Sequence, residues 1–108
     1  MSTKKEAYAI VRRYEKKHCR KVEEKDYEKD GYDLRSFKGS NSKILERCIE
    51  VKGSRSDKIQ WRWLEQKQQN NIKTNRKFYL YFVKKIGSEN PEVFAISAKK
   101  LKEIKPIS

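Results

Sequence analysis

The chain has few of the residues that mark zinc proteins, secreted proteins and membrane proteins. Its two cysteines, Cys19 and Cys48, lack CxxC spacing, and it has a single histidine, so a structural zinc site is excluded and free thiols are expected. No apolar run approaches the roughly 20 residues that cross a bilayer, and the start of the chain carries no apolar run typical of a signal peptide. We therefore expect a soluble, cytoplasmic protein without membrane attachment.

Acidic residues are also scarce beside basic ones. The chain holds 28 Lys and Arg against 15 Asp and Glu, a formal net charge of +13. So strong a positive field favours a nucleic acid as the partner, because bound phosphates release their counterions. An anionic membrane is less favoured since no lysine-faced helix with a bulky apolar side stands out, and a lysine-rich proteome would raise Glu as well as Lys. The charge predicts a nucleic-acid-binding protein. DNA as the partner and a nucleoid-associated location are expected together with the nuclease interpretation, and RNA stays open.

The patterned apolar residues predict one domain, 1–108, with a modest core built around aromatic side chains. The segment 21–31 is charged and is interpreted as a loop with room for a short strand. The remaining elements follow in chain order: a helix over 4–18, a hairpin of strands 32–37 and 43–52, a helix over about 59–72, an aromatic strand over 77–85, a strand over 92–97 and a closing helical turn. The order predicts an α+β fold, a mixed sheet of four to five strands with helices packed on it and the aromatic strand central and covered on both faces.

The segment "IEVKG", residues 49–53, carries the chemistry that the sequence offers. Alternation sends Ile49 and Val51 into the core and leaves Glu50 and Lys52 on the opposite face. The hairpin brings Asp33 beside Glu50. Two carboxylates with a neighbouring lysine suit a magnesium ion and a phosphodiester substrate, although cross-strand acids and lysines are also common as solvated pairs.

Two further sets of side chains have alternative interpretations. Glu15 falls at the margin of the buried stripe of the first helix, where it either reaches toward Asp33 and Glu50 or pairs with a surface base. Trp61 and Trp63 are either core residues or stacking platforms for bases. We expect six basic side chains to contact nucleic acid: Arg35, Lys38, Arg55, Lys58, Arg62 and Lys67.

Four segments resemble a known family, in order and in spacing. They are "YE" at 14–15, "GYDLRS" at 31–36, "IEVKG" at 49–53 and "FYLYFV" at 78–83, and together they are similar to the NO VEIN C-terminal-like domain over about residues 7–101. The resemblance implies a restriction-endonuclease-like core of the PD-(D/E)XK superfamily. By it, Asp33, Glu50 and Lys52 match the metal-binding acid, second acid and lysine, and Glu15 matches the acid on the first helix. Where members commonly carry Thr-x-x-Glu-Trp, only Glu65 matches.

The sequence therefore predicts a DNA endonuclease that depends on Mg²⁺ or Mn²⁺ and acts in restriction, defence or repair. Asp33, Glu50 and Glu15 would serve the metal, and Lys52 would activate or position water. The alternatives are a non-catalytic nucleic-acid-binding module that targets a helicase or restriction partner, and a protein-interaction domain. The type of DNA and the oligomeric state, with a homodimer as one option, stay open.

Overall fold

The computed structural model describes residues 3–24, 27–57 and 66–104. The elements in chain order are α1 (Thr3–Lys17), β1 (Arg20–Glu23), a 3-10 helix (Glu28–Asp30), β2 (Leu34–Lys38), β3 (Asn41–Gly53), α2 (Gln66–Thr74), β4 (Phe78–Lys84), β5 (Glu92–Ser97) and α3 (Ala98–Ile104). The start of the predicted second helix lies outside the described residues, as do Lys58, Trp61, Arg62, Trp63 and Glu65.

The five strands form one mixed sheet in the order β1-β2-β3-β4-β5. The predicted hairpin is confirmed: β2 and β3 pair antiparallel, with Leu34 opposite Ile49 and Arg35 opposite Cys48. β3 and β4 run parallel, and β5 returns antiparallel along β4. The short strand β1 pairs with β2 at the sheet edge. The α+β prediction is therefore confirmed, and the aromatic strand β4 lies inside the sheet, between β3 and β5.

Helices cover both faces of the sheet, as the aromatic strand predicts. One face packs against α1 through Ala7 and Val11, and its core includes Leu34, Ile49, Val51 and Tyr81. The other face packs against α2 and α3 through Ile72 and Leu101, over Cys48, Phe78 and Leu80. Alternate residues of β3 and β4 therefore enter two different cores. None of the described helices combines the length and apolarity needed to cross a membrane.

Two glycines near Asp33 and Lys52 occupy backbone positions that disfavour a side chain. Gly31 closes the 3-10 helix at φ 85°, a left-handed conformation that glycine adopts without steric cost, two residues before Asp33. Gly53 ends β3 beneath α1, where an added Cβ would lie 2.8 Å from Ile86 Cδ1 and 3.0 Å from Ala7 Cβ. The missing side chain lets the start of α1 pack closely over the end of β3.

Candidate active site

A cavity lies where β3 ends, β2 begins and α1 starts. Its volume is about 420 Å³, and it continues into an adjoining hollow of about 330 Å³ beside Gly53. Asp33, Glu50 and Lys52 line both parts, together with Lys4 from α1. The three residues singled out by the sequence thus share one cavity.

Asp33 is held against β3 by its own backbone and side chain. Its N–H donates to the Ile49 carbonyl at 2.9 Å, and its Oδ2 accepts from the Val51 N–H at 2.8 Å. These bonds continue the β2–β3 pairing by one residue, so the carboxylate sits beside the position of Glu50 on β3. The hairpin therefore fixes the spacing of the two acids locally.

Glu50 is buried, with 5% of its surface exposed, and Lys52 Nζ lies 3.3 Å from its Oε2. Burial, and after it the charge of the Asp33 carboxylate, raise the pKa of Glu50 to about 8, although Lys52 acts in the opposite direction. Burial and the neighbouring carboxylate therefore outweigh the effect of Lys52 on this pKa. A bound cation would reverse the balance and favour the ionised acid.

Tyr8 is a cavity residue that the sequence did not single out. It lines the larger cavity, and its pKa is raised by burial, by the charge of Asp33 and by a hydrogen bond with Asp33. The hydroxyl therefore stays protonated and holds the Asp33 carboxylate from the α1 side. The available signal was weak: Tyr8 lies next to Ala7, at the edge of the helical stripe that packs on the sheet.

Glu15 lies elsewhere and has a different environment. It is completely buried, not at the margin of the helix face, and it does not line the cavity of Asp33 and Glu50. Arg20 donates to it twice, Nε to Oε1 at 2.7 Å and Nη2 to Oε2 at 2.8 Å, and the Tyr81 hydroxyl donates to Oε2 at 2.8 Å.

These contacts give Glu15 a structural explanation. Burial alone would raise its pKa, but the hydrogen bonds from Arg20 and Tyr81 outweigh it, so the pKa is lowered and the acid stays ionised. The ion pair joins α1 to β1 and β4 through the core. The expectation that Glu15 reaches toward Asp33 and Glu50 is not met, and its partner is Arg20 rather than a surface base.

The predicted nucleic-acid contacts occupy different environments. Lys67, on α2, lines the cavity, and Lys38 is exposed at the end of β2. Arg35 packs with its guanidinium 4.4 Å from the Tyr27 ring centroid. Arg55 bonds Glu6 at 3.1 Å. Only Lys67 of these four is placed at the cavity, and all four roles stay predictions.

The donor set limits which metal the cavity suits. Within residues 3–24, 27–57 and 66–104, no group of three or more His, Cys, Asp and Glu side chains could hold a metal ion. Asp33 and Glu50 remain as a pair of hard oxygen donors. This pair fits Mg²⁺, which keeps several waters and takes a substrate phosphate, and it does not fit a closed zinc site.

The fold and cavity define a small mixed α+β domain with an acid, a second acid and a lysine at the end of the β2–β3 hairpin. The model of the family described as Protein NO VEIN, C-terminal, matches residues 3–96, and the chain belongs to this family. The resemblance drawn from "GYDLRS" and "IEVKG" is confirmed at that level. Comparison with curated proteins and with solved structures gave no match.

Proposed function

We propose that the protein is a nuclease of the PD-(D/E)XK superfamily that hydrolyses DNA phosphodiester bonds with Mg²⁺ or Mn²⁺. The observation that carries this proposal is the shared cavity of Asp33, Glu50 and Lys52, with Lys52 Nζ 3.3 Å from Glu50 Oε2. The net charge of +13 supports a polyanionic substrate.

Each of the three residues has a role that its surroundings support. Asp33 and Glu50 would hold the ion, which when bound supplies an acidified water and neutralises charge developing on the phosphate. Asp33 is already oriented by the Val51 N–H. Lys52 would orient the attacking water and stabilise the negative charge of the transition state.

Two lysines at the cavity support a phosphate substrate further. Lys4 on α1 and Lys67 on α2 are both exposed and line the cavity from different sides. Their ammonium groups can contact the phosphates that flank the scissile one. The cavity thus combines anionic metal ligands inside with cations for the nucleic-acid backbone.

The test is cleavage of plasmid, single-stranded DNA and RNA by the wild type and by Asp33→Asn and Lys52→Gln, with Mg²⁺ or Mn²⁺. We expect each variant to lose about 100-fold or more of the rate, the typical effect of removing a group that positions charge or protons. The exposed Lys99→Gln on α3 is the control and should keep full activity. Equal cutting by all four proteins would refute the proposal, and cutting of RNA alone would refute DNA as the substrate.

A second candidate is a non-catalytic nucleic-acid-binding module that targets a helicase or restriction partner. The observation in its favour is that, among the described residues, no third Asp, Glu, His or Cys joins Asp33 and Glu50 in a group that could hold a metal ion. Such a module would keep its full DNA affinity in EDTA and would cut none of the substrates with any divalent ion.

A further inference from the structure

The solvent-facing side of α1 is uniformly basic. Every exposed residue of this helix is a lysine or arginine: Lys4, Lys5, Arg12, Arg13, Lys16 and Lys17. We call these six residues the α1 ridge. None of the six residues that the sequence predicted as nucleic-acid contacts belongs to it. Periodicity indicates the exposed side of α1, but only the packing on the sheet shows that this side starts at the cavity.

The acids of α1 do little to offset this charge. Glu15 is buried and its charge is balanced by Arg20, and Glu6 is paired with Arg55. Arg12 forms an ion pair with Glu24. For Arg13, Lys16 and Lys17, the described part of the chain contains no ion-pair partner. The far half of the ridge therefore presents uncompensated positive charge to solvent.

The ridge begins at the cavity and leads away from it. Lys4 lines both parts of the cavity with Asp33 and Glu50. From Lys4 to Lys17 a helix rises about 20 Å at 1.5 Å per residue. That distance corresponds to about six base pairs of B-form DNA at 3.4 Å per pair.

The packing of α1 decides which polyanion suits the ridge. A basic helix that binds a membrane lays its apolar face into the lipid, but Ala7 and Val11 are already in the core, 1% and 0% exposed. The large exposed apolar side chains among the described residues, Ile44, Phe94 and Ile104, lie on other elements. A broad helix face of long cationic side chains without an apolar anchor suits the phosphates of a nucleic acid.

We propose that the α1 ridge binds the DNA backbone and leads the strand into the cavity, an inference that rests on the proposed nuclease function. In this arrangement Lys4 contacts a phosphate near the scissile one, and Arg13, Lys16 and Lys17 hold the duplex about 14–20 Å further along the helix. The ridge thereby contributes affinity rather than chemistry.

The test compares two triple variants that each remove three positive charges. The ridge variant is R13Q/K16Q/K17Q, and the matched control is K99Q/K100Q/K102Q on α3, which packs on the opposite face of the sheet. Binding of a short fluorescent duplex is measured in EDTA across a salt series. Each phosphate contact changes log K by about 0.9 per decade of salt. Counted over the decade between 1 M and 0.1 M, the loss of one contact therefore lowers the affinity at 0.1 M salt by up to about eightfold.

We expect the ridge variant to lose at least about tenfold in affinity and its log–log salt slope to fall by about 2 to 3, with little change in the control. Equal losses in the two variants would overturn the inference in favour of non-specific charge. It would also be overturned if the ridge variant lost binding to anionic phospholipid vesicles while keeping its DNA affinity. Glutamine has a helix propensity close to that of Lys and Arg, and K16Q/K17Q serves as a milder variant if the triple unfolds early.

Cleavage kinetics separate the ridge from the catalytic proposal. The ridge variant should raise KM and leave kcat unchanged, whereas Asp33→Asn should lower kcat and leave DNA affinity in EDTA within about twofold. If Asp33→Asn cuts like the wild type, the nuclease proposal fails while the binding result for the ridge stands. If kcat falls in the ridge variant with KM unchanged, the ridge inference fails and the nuclease proposal stands.

Discussion

Replacing Glu50 with glutamine should stabilise the metal-free protein at alkaline pH. In the unfolded chain this carboxyl loses its proton near pH 4.5, whereas burial and the Asp33 carboxylate raise its folded pKa to about 8. Between these two values the folded state binds the extra proton, so the free energy of unfolding falls as pH rises, by about 1.4 kcal/mol per pH unit. Glutamine cannot ionise and removes this loss.

Over the whole interval between the unfolded pKa of 4.5 and the folded pKa of about 8, the wild type loses at most about 5 kcal/mol of its free energy of unfolding. We expect wild type and Glu50→Gln to unfold at similar urea concentrations near pH 5, and the variant to become more stable by at least about 1 kcal/mol above pH 8. The assay is urea unfolding in EDTA, followed by tryptophan fluorescence from pH 5 to pH 9. Glu46→Gln, an exposed acid on the same strand, controls for the loss of one negative charge.

The difference in the free energy of unfolding between Glu50→Gln and wild type should widen as pH rises. A difference that stays constant or narrows would refute the reasoning about buried charge. Adding Mg²⁺ provides a second readout. It should stabilise the wild type most strongly at high pH, because the ion takes the place of the proton on Glu50, and it should stabilise Glu50→Gln much less. Equal stabilisation of the two proteins would show that Mg²⁺ binds elsewhere.

Three further predictions concern the groups around the cavity and in the core. Glu15→Ala should lower the free energy of unfolding by about 3–5 kcal/mol in urea, because it leaves the Arg20 guanidinium buried without its partner. Since the pKa of Glu15 is lowered on folding, its contribution to stability is present above pH 4.5 and is lost as pH falls below that value, which an acid titration by circular dichroism would detect. Tyr8→Phe should reduce kcat by about tenfold and change the free energy of unfolding by no more than about 1.5 kcal/mol, because only the hydrogen bond with Asp33 is lost. An unchanged kcat would show that Tyr8 only packs against the core. EDTA should abolish cleavage. At limiting Mg²⁺ the cleavage rate should rise with pH up to about 8, because Glu50 ionises over this range. A cleavage rate that falls over that range would contradict the assignment of Glu50 as a metal ligand.

The site and the core use their charges differently. In the cavity, burial and a like charge raise the pKa of Glu50, and for this reason we expect the metal-free protein to lose stability as pH rises. In the core, Arg20 and Tyr81 satisfy Glu15 and keep it ionised. An acid that is fully satisfied by protein donors has little capacity left for a metal, whereas an acid held close to another acid gains from one. This contrast favours Asp33 and Glu50 over Glu15 as ligands of the metal ion in the proposed nuclease.

Local patterns in the sequence determined the elements and the pair of acids. Strand alternation separates Ile49 and Val51 from Glu50 and Lys52, and it does so whatever the strand packs against. The β2–β3 hairpin joins residues close in sequence, so Asp33 and Glu50 become neighbours through local pairing. The turn alone does not set their register, because the pairing shifts between Ser36 and Phe37 and again between Phe37 and Lys38. These features could be predicted because each depends on contacts within about 20 residues.

Only the tertiary structure decided what lies around that pair. Glu15 could be placed near the buried side of α1, but its burial depends on Arg20 from β1 and Tyr81 from β4, which lies 66 residues away in sequence. Tyr8 joins the cavity, and the ridge from Lys4 to Lys17 starts beside it, because α1 crosses the sheet with its first turn over the end of β3. Helical periodicity shows which residues share a face, but the partner of each face is set by long-range packing, and that packing lies beyond any local pattern.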